Sequence, residues 1–202
     1  MHPANSAVPM VSETPANAGG ATQTSGRIDA AAPPVTLDAP RLQFLDQGKW
    51  NLTLGAGVAN DFKDSTDSQA FVQVSTFLAP RFEVGLELGG WYFAQKGKDA
   101  AGSNLSLAFK YHVYATEDRA FTAFAEVGIG ILVATRRVPA GGTNFDFMPR
   151  VGGGVTYRVA DGARLVGGVR WHHISNAEIA GDNRNPGRDG IMGYLGLEIE
   201  LN

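Results

Sequence analysis

Residues 121–131 read FTAFAEVGIGI, and their alternation decides the fold. In an extended chain Phe121, Ala123, Ala125, Val127, Ile129 and Ile131 fall on one face, with Thr122, Glu126, Gly128 and Gly130 on the other. A period of two, bulky and apolar against small and charged, is the signature of a strand. The scheme recurs in both directions along the chain. Residues 50–58 set Trp50, Leu52, Leu54, Ala56 and Val58 against Asn51, Thr53, Gly55 and Gly57. Further runs carry Val72 and Val74, then Val84, Leu86 and Leu88, then Leu105, Leu107 and Tyr111. After 121–131 come Phe147, Val151, Val155 and Tyr157, then Leu165, Val169 and Trp171, and last Ile191, Leu195, Leu197 and Leu201. Eight strands are predicted, and no helix is required. Their opposite faces hold Glu83, Glu87, Lys110, His112, Glu126, Arg150, Arg158, Arg164, Arg170, His172, Glu198 and Glu200.

Alternation does not say which face is outside, because a soluble barrel and a membrane barrel differ by inversion. Connection length separates them. Those after strands two, four and six are short, around Ala79-Pro80, Thr116-Glu117-Asp118 and Ala160-Asp161-Gly162, while those after strands one, three, five and seven are longer and polar. Short turns on one rim and long loops on the other are the outer-membrane pattern. Aromatic side chains fall where two interface belts would lie, with Trp91, Tyr92, Phe93, Phe145, Phe147 and Trp171 toward the long-loop rim and Trp50, Phe82, Tyr111, Phe121 and Tyr157 toward the other. The expected fold is all-β, an eight-stranded antiparallel transmembrane β-barrel of outer-membrane type over residues 48–202. Eight strands enclose no aqueous pore, so the inward charges fill the lumen and a porin function is disfavoured.

Composition supports this division. Of 202 residues, 1–47 contain six of the ten Pro and only three of the 26 Gly. That Ala/Pro-rich segment has two Arg and no Lys, buries too little apolar surface to offset chain entropy, and is expected to be disordered. It shows no basic start followed by an apolar run, so no export signal is legible in it. The absence of Cys removes disulfide frameworks and thiol nucleophiles. With 17 basic and 20 acidic residues, nothing points to a nucleic-acid partner.

Strand seven breaks its own pattern. Parity puts His173 with Leu165, Val169 and Trp171 on the outward face, and Ser175 follows on that face. Two polar side chains facing lipid are costly unless engaged near the interface. Residues i and i+2 of a strand lie about 6.6 Å apart, within reach of an imidazole acting as base toward a hydroxyl nucleophile. Asp189, at the start of strand eight, shares parity with Ile191 and Leu195 and so faces the same way, where it can orient the imidazole. Glu178 and Asp182 are the other acids of the intervening loop. Spacing alone leaves an ordinary interfacial His and Ser open.

The runs His173-Ile174-Ser175-Asn176-Ala177 and Asn185-Pro186-Gly187-Arg188-Asp189, closing an eight-stranded barrel, resemble the PagL family of outer-membrane lipid A 3-O-deacylases. The resemblance implies Ser175 as nucleophile, His173 as base and an acidic orienting residue. It also implies an oxyanion site made by the Asn185 side chain and a backbone N–H near Glu178, with Asn176 supporting the loop. The implied reaction is hydrolysis of the acyl ester at the 3-position of lipid A, without metal or cofactor, with lipopolysaccharide as the partner. Glu178 stands where the pattern has Gly, Asp189 where it has Glu, and the segment between Ala177 and Asn185 is about two residues longer. Arg184 or Arg188 would hold charged headgroups. The competing readings are a non-enzymatic structural or adhesion barrel, a soluble lipid-binding barrel, and a hydrolase acting on phospholipid.

Overall fold

The computed structural model describes residues 41–201. The expected disorder of the amino-terminal segment falls, for 1–40, outside the described residues. The strands are β1 (Trp50–Asn60), β2 (Thr66–Ala79), β3 (Phe82–Ala94), β4 (Ala100–Ala115), β5 (Phe121–Val138), β6 (Thr143–Phe147), β7 (Arg150–Ala160), β8 (Ala163–Ile174) and β9 (Arg188–Leu201). All pairings are antiparallel between neighbours in the chain, and β1 pairs with β9 from Trp50 opposite Leu201 to Asn60 opposite Ile191. The sheet therefore closes on itself.

Nine segments make eight staves. β6 and β7 pair with the same strand β5 in one register, Ile131 opposite Phe147 and Gly128 opposite Arg150. They are parted at Met148-Pro149, where proline has no N–H to give the ladder.

The inversion is resolved by burial. Leu54, Val58, Leu86, Leu88, Leu107 and Ile129 are all exposed on the outer wall, whereas Glu83, Glu87, Lys110, Glu126, Arg164 and Arg170 are buried within. An outer wall so continuously apolar suits lipid and not water, which removes the soluble alternative. Several of the interior charges pair with one another. Glu87, with 0% of its surface exposed, accepts from Arg150 Nη1 at 2.7 Å and from Arg170 Nη1 at 3.1 Å, and Arg170 Nε lies 2.9 Å from Glu126 Oε1. Glu83 meets Lys110 at 3.4 Å and His112 Nε2 at 3.3 Å.

Four placements differ from the sequence reading. Trp91 and Phe93, assigned to the outer aromatic belt, point inward with 5% and 0% exposure and stack 5.4 Å apart. They share odd parity with Glu83 and Glu87, and Trp91 Nε1–H finds Asn104 Oδ1 at 2.7 Å. Arg158 sits on the short-turn rim and pairs with Asp118 at 3.0 Å. Residues 41–47 are ordered at that rim: Phe44 and Leu45 are buried with Phe77, and the Arg164 guanidinium lies 3.9 Å from the Phe44 ring centroid. Finally, connections 61–65, 95–99 and 139–142 are no longer than 116–120, because the strands run past the apolar band, β5 for 18 residues. The length asymmetry is concentrated in 175–187, between β8 and β9.

Glu87→Ala leaves two buried guanidinium groups short of a carboxylate, and should lower barrel stability in lipid vesicles by about 3–5 kcal/mol. Urea titration of refolding measures it. A loss below about 1 kcal/mol, the range of an exposed pair, would contradict a buried network around Glu87.

Candidate active site

The site begins with register. β8 and β9 pair from Ala163 opposite Ile199 to Ile174 opposite Arg188, which sets His173 directly opposite Asp189. Cross-strand neighbours on one face are close enough for their side chains to meet, and His173 Nδ1 lies 2.9 Å from Asp189 Oδ1. The pair stands on the outer wall at the long-loop rim, above Trp171, whose ring stacks on the imidazole at 6.1 Å with planes 23° apart. The strand is held from the other side as well, since the His173 N–H donates to the Pro149 carbonyl at 3.0 Å.

Behind this face the interior fixes both strand ends. Arg188, next to Asp189 but inward-facing, pairs with Asp67 of β2 and reaches Gln95 Oε1 at 3.5 Å. It is committed to the lumen, which corrects the idea that it serves as a headgroup contact. His172 is paired with Gly190, and a Cβ there would come within 2.8 Å of the His172 ring. Only glycine leaves space for that ring behind the His173–Asp189 pair.

Ser175 is half-buried just past the end of β8, and its backbone bridges Phe147: the Ser175 N–H donates at 3.1 Å and its carbonyl accepts at 2.7 Å. No hydrogen bond joins the Ser175 hydroxyl to His173 among the described residues. Loop 175–187 then runs through successive turns. Asn176 is 2% exposed: its N–H donates to Asn185 Oδ1 at 3.0 Å, and its Nδ2 donates to the Arg184 carbonyl at 2.7 Å. Ala177 and Glu178 both take positive φ, at 50° and 63°. Glu178 is exposed, and Asp182 opens the short 3₁₀ turn Asp182–Arg184. Neither contacts His173, so Asp189 is the imidazole's acidic partner among the described residues.

Sequence reading passed over Gly187. It takes φ 57°, and a Cβ on it would lie 3.1 Å from His173 Cε1 and 3.6 Å from Nε2. Its glycine identity, inside the Asn-Pro-Gly run, allows the loop backbone to lie against the far edge of the imidazole. A cleft of about 400 Å³ opens beside the pair, lined by His173, Asp189, Gly187, Asp61, Lys63 and Lys96 among others. Burial works against the Asp61 carboxylate there, but the N–H groups of Lys63 and Ser65 and the charge of Arg188 hold its pKa below the ordinary value.

Asn176→Ala removes the donor to the Arg184 carbonyl. A lost hydrogen bond of this kind is worth about 1 kcal/mol, so loop opening, read as tryptic cleavage after Arg184, should quicken by roughly five- to tenfold. Unchanged cleavage would mean that the loop is held elsewhere.

A family model described as lipid A 3-O-deacylase (PagL) matches residues 66–198. No curated protein matches the chain in sequence. Among solved structures, the outer membrane enzyme PagL aligns at 19% identity and TM-score 0.52, over 75% of this chain and 99% of that one. The N-terminal β-barrel domain of Pseudomonas aeruginosa OprF aligns at 14% identity and TM-score 0.56, over 77% and 98%. Neisserial surface protein A aligns at 13% and 0.57, over 75% and 97%. These similarities show the barrel alone, which enzymes and non-enzymes share. The family match spans most of the chain, including both ends of loop 175–187: the chain is an outer-membrane β-barrel that belongs to the lipid A 3-O-deacylase (PagL) family.

Proposed function

We propose that the protein hydrolyses the acyl ester at the 3-position of lipid A with a Ser175–His173–Asp189 triad on its lipid-facing wall. The observation that carries this reading is the 2.9 Å contact between His173 Nδ1 and Asp189 Oδ1 on a surface otherwise built for lipid. A carboxylate on Nδ1 keeps the proton there, so Nε2 is left as the base. Ser175 follows two residues along the same face. A catalytic hydrogen bond of this type is often made only in the substrate complex.

The steps follow from these roles. His173 Nε2 takes the Ser175 proton as the hydroxyl oxygen attacks the ester carbonyl carbon. The resulting oxyanion is met by the Asn185 amide N–H and a backbone N–H near Glu178. Because Asn185 Oδ1 already accepts from the Asn176 N–H, its NH₂ remains the free half of the amide. The positive φ values at Ala177 and Glu178 turn successive N–H groups in a way regular strand does not. Collapse breaks the bond to the sugar oxygen, which leaves as the 3-hydroxyl with the proton from His173. Water, activated by the same imidazole, then releases the fatty acid and restores Ser175. A lipid-facing site at the rim meets the ester at the boundary of headgroup and acyl chain, without extracting lipid from the leaflet.

Purified protein assayed on lipid A in mixed micelles tests the reading. Ser175→Ala and His173→Ala should each abolish fatty-acid release while the barrel stays folded, and the double variant should be little worse than either, because members of one catalytic unit are non-additive. Asp189→Asn should cost on the order of 10⁴ in turnover, with Glu178→Gln and Asp182→Asn near wild type. Multiplicative losses, or activity that survives Asp189→Asn and falls with Glu178→Gln, would overturn the assignment. Release from phospholipid and not from lipid A would replace the substrate while keeping the chemistry.

A further inference from the structure

The two large apolar side chains that stand furthest clear of the barrel are not on its wall. Among the described residues Phe62 is 77% exposed and Ile179 73%, and the most exposed wall residue, Leu195, reaches 63%. Phe62 lies in loop 61–65 and Ile179 in loop 175–187. β9 pairs with β1 on one side and with β8 on the other, so these loops flank the start of β9, where Asp189 faces His173. Asp61 and Lys63, on either side of Phe62, line the cleft beside that pair, as do Pro186 and Gly187 at the end of the loop that carries Ile179.

The backbone at each residue is fixed by its own turn. Asp61 Oδ1 accepts from the N–H groups of Lys63 at 2.9 Å and Ser65 at 3.0 Å, and the Phe62 N–H donates to Asn60 Oδ1 at 2.6 Å. This holds Phe62 at φ 57°, uncommon for a bulky residue. The Ile179 N–H donates to the Asn176 carbonyl at 3.1 Å, directly after the two positive-φ residues. A phenyl and a branched aliphatic group held so far out gain from hydrocarbon what they lose in water. At this rim the hydrocarbon at hand is that of the outer leaflet.

The geometry points to Phe62 and Ile179 as a two-sided grip on an acyl chain of the lipid substrate, seating its ester against the His173–Asp189 pair. They are positioning residues and touch no reacting atom. The inference rests on the hydrolase reading above, and names the part of the substrate that the site recognises.

Such a contact acts in binding, so the Phe62→Ala/Ile179→Ala double variant should raise KM for lipid A in vesicles about tenfold with kcat kept. Hydrolysis of a water-soluble butyrate ester should be unchanged, and Phe62→Leu/Ile179→Leu should restore the lipid A value. Equal losses on both esters would mean a disturbed site, and no loss on lipid A would mean no grip; either overturns the inference. A readout independent of turnover uses the absence of cysteine from the chain. Phe62→Cys in a Ser175→Ala background, carrying an environment-sensitive fluorophore, should shift to the blue in vesicles containing lipid A relative to phosphatidylglycerol vesicles without it. Identical emission in the two would overturn the grip even if the wild type is an active hydrolase. If the wild type hydrolyses neither ester, the hydrolase reading fails and the fluorophore alone decides whether lipid A is held.

Discussion

The pairing of β1 with β9 is the constraint on which the rest depends. A bilayer core offers no hydrogen bonds to an open sheet edge, so a strand protein can cross it only by closing. Closure has two consequences. It makes the outer wall apolar and drives the charges into a lumen filled by side chains, where Glu87 pairs with both Arg150 and Arg170. It also holds β9 on both sides, so that Asp189 sits on a strand with no freedom to slip: a shift of one residue would turn every side chain of β9 to the wrong face.

The same closure explains how a polar site exists on a lipid-facing surface. His173 and Asp189 are not isolated charges in hydrocarbon; each satisfies the other, and both lie at the rim. The interior supports them. Arg188 ties the start of β9 to Asp67 of β2, and the His172 ring occupies the space that Gly190 leaves. Loop 175–187 is built on Asn176, whose backbone and side chain bind Asn185 and Arg184, and Gly187 returns the backbone to the imidazole. Preorganisation of this kind lets a small barrel carry chemistry without a deep pocket.

Parity made the barrel legible in sequence, because residues two apart on a strand share a face whatever the tertiary context. The same rule put His173, Ser175 and Asp189 on one face, and would have placed Trp91 and Phe93 inside had it been applied to them before the expectation of an aromatic belt. What was not legible depends on contacts remote in sequence. Phe44 and Leu45 are ordered because Phe77 and Arg164 meet them, though their neighbours in sequence resemble a linker. The turns at Ala177 and Glu178 depend on Asn176 reaching residues beyond them, and no local propensity encodes that. Gly187 reads as an ordinary turn glycine until the imidazole beside it is seen.

The central claim is that Ser175, on the lipid-facing wall, cleaves an ester of lipid A. Mass spectrometry of lipid A from outer membranes carrying the wild-type protein or Ser175→Ala tests it most directly. The account predicts that lipid A from wild-type membranes lacks the ester-linked acyl chain at the 3-position, and that lipid A from Ser175→Ala membranes retains it. Fully acylated lipid A in both, or equal loss in both, would contradict the account.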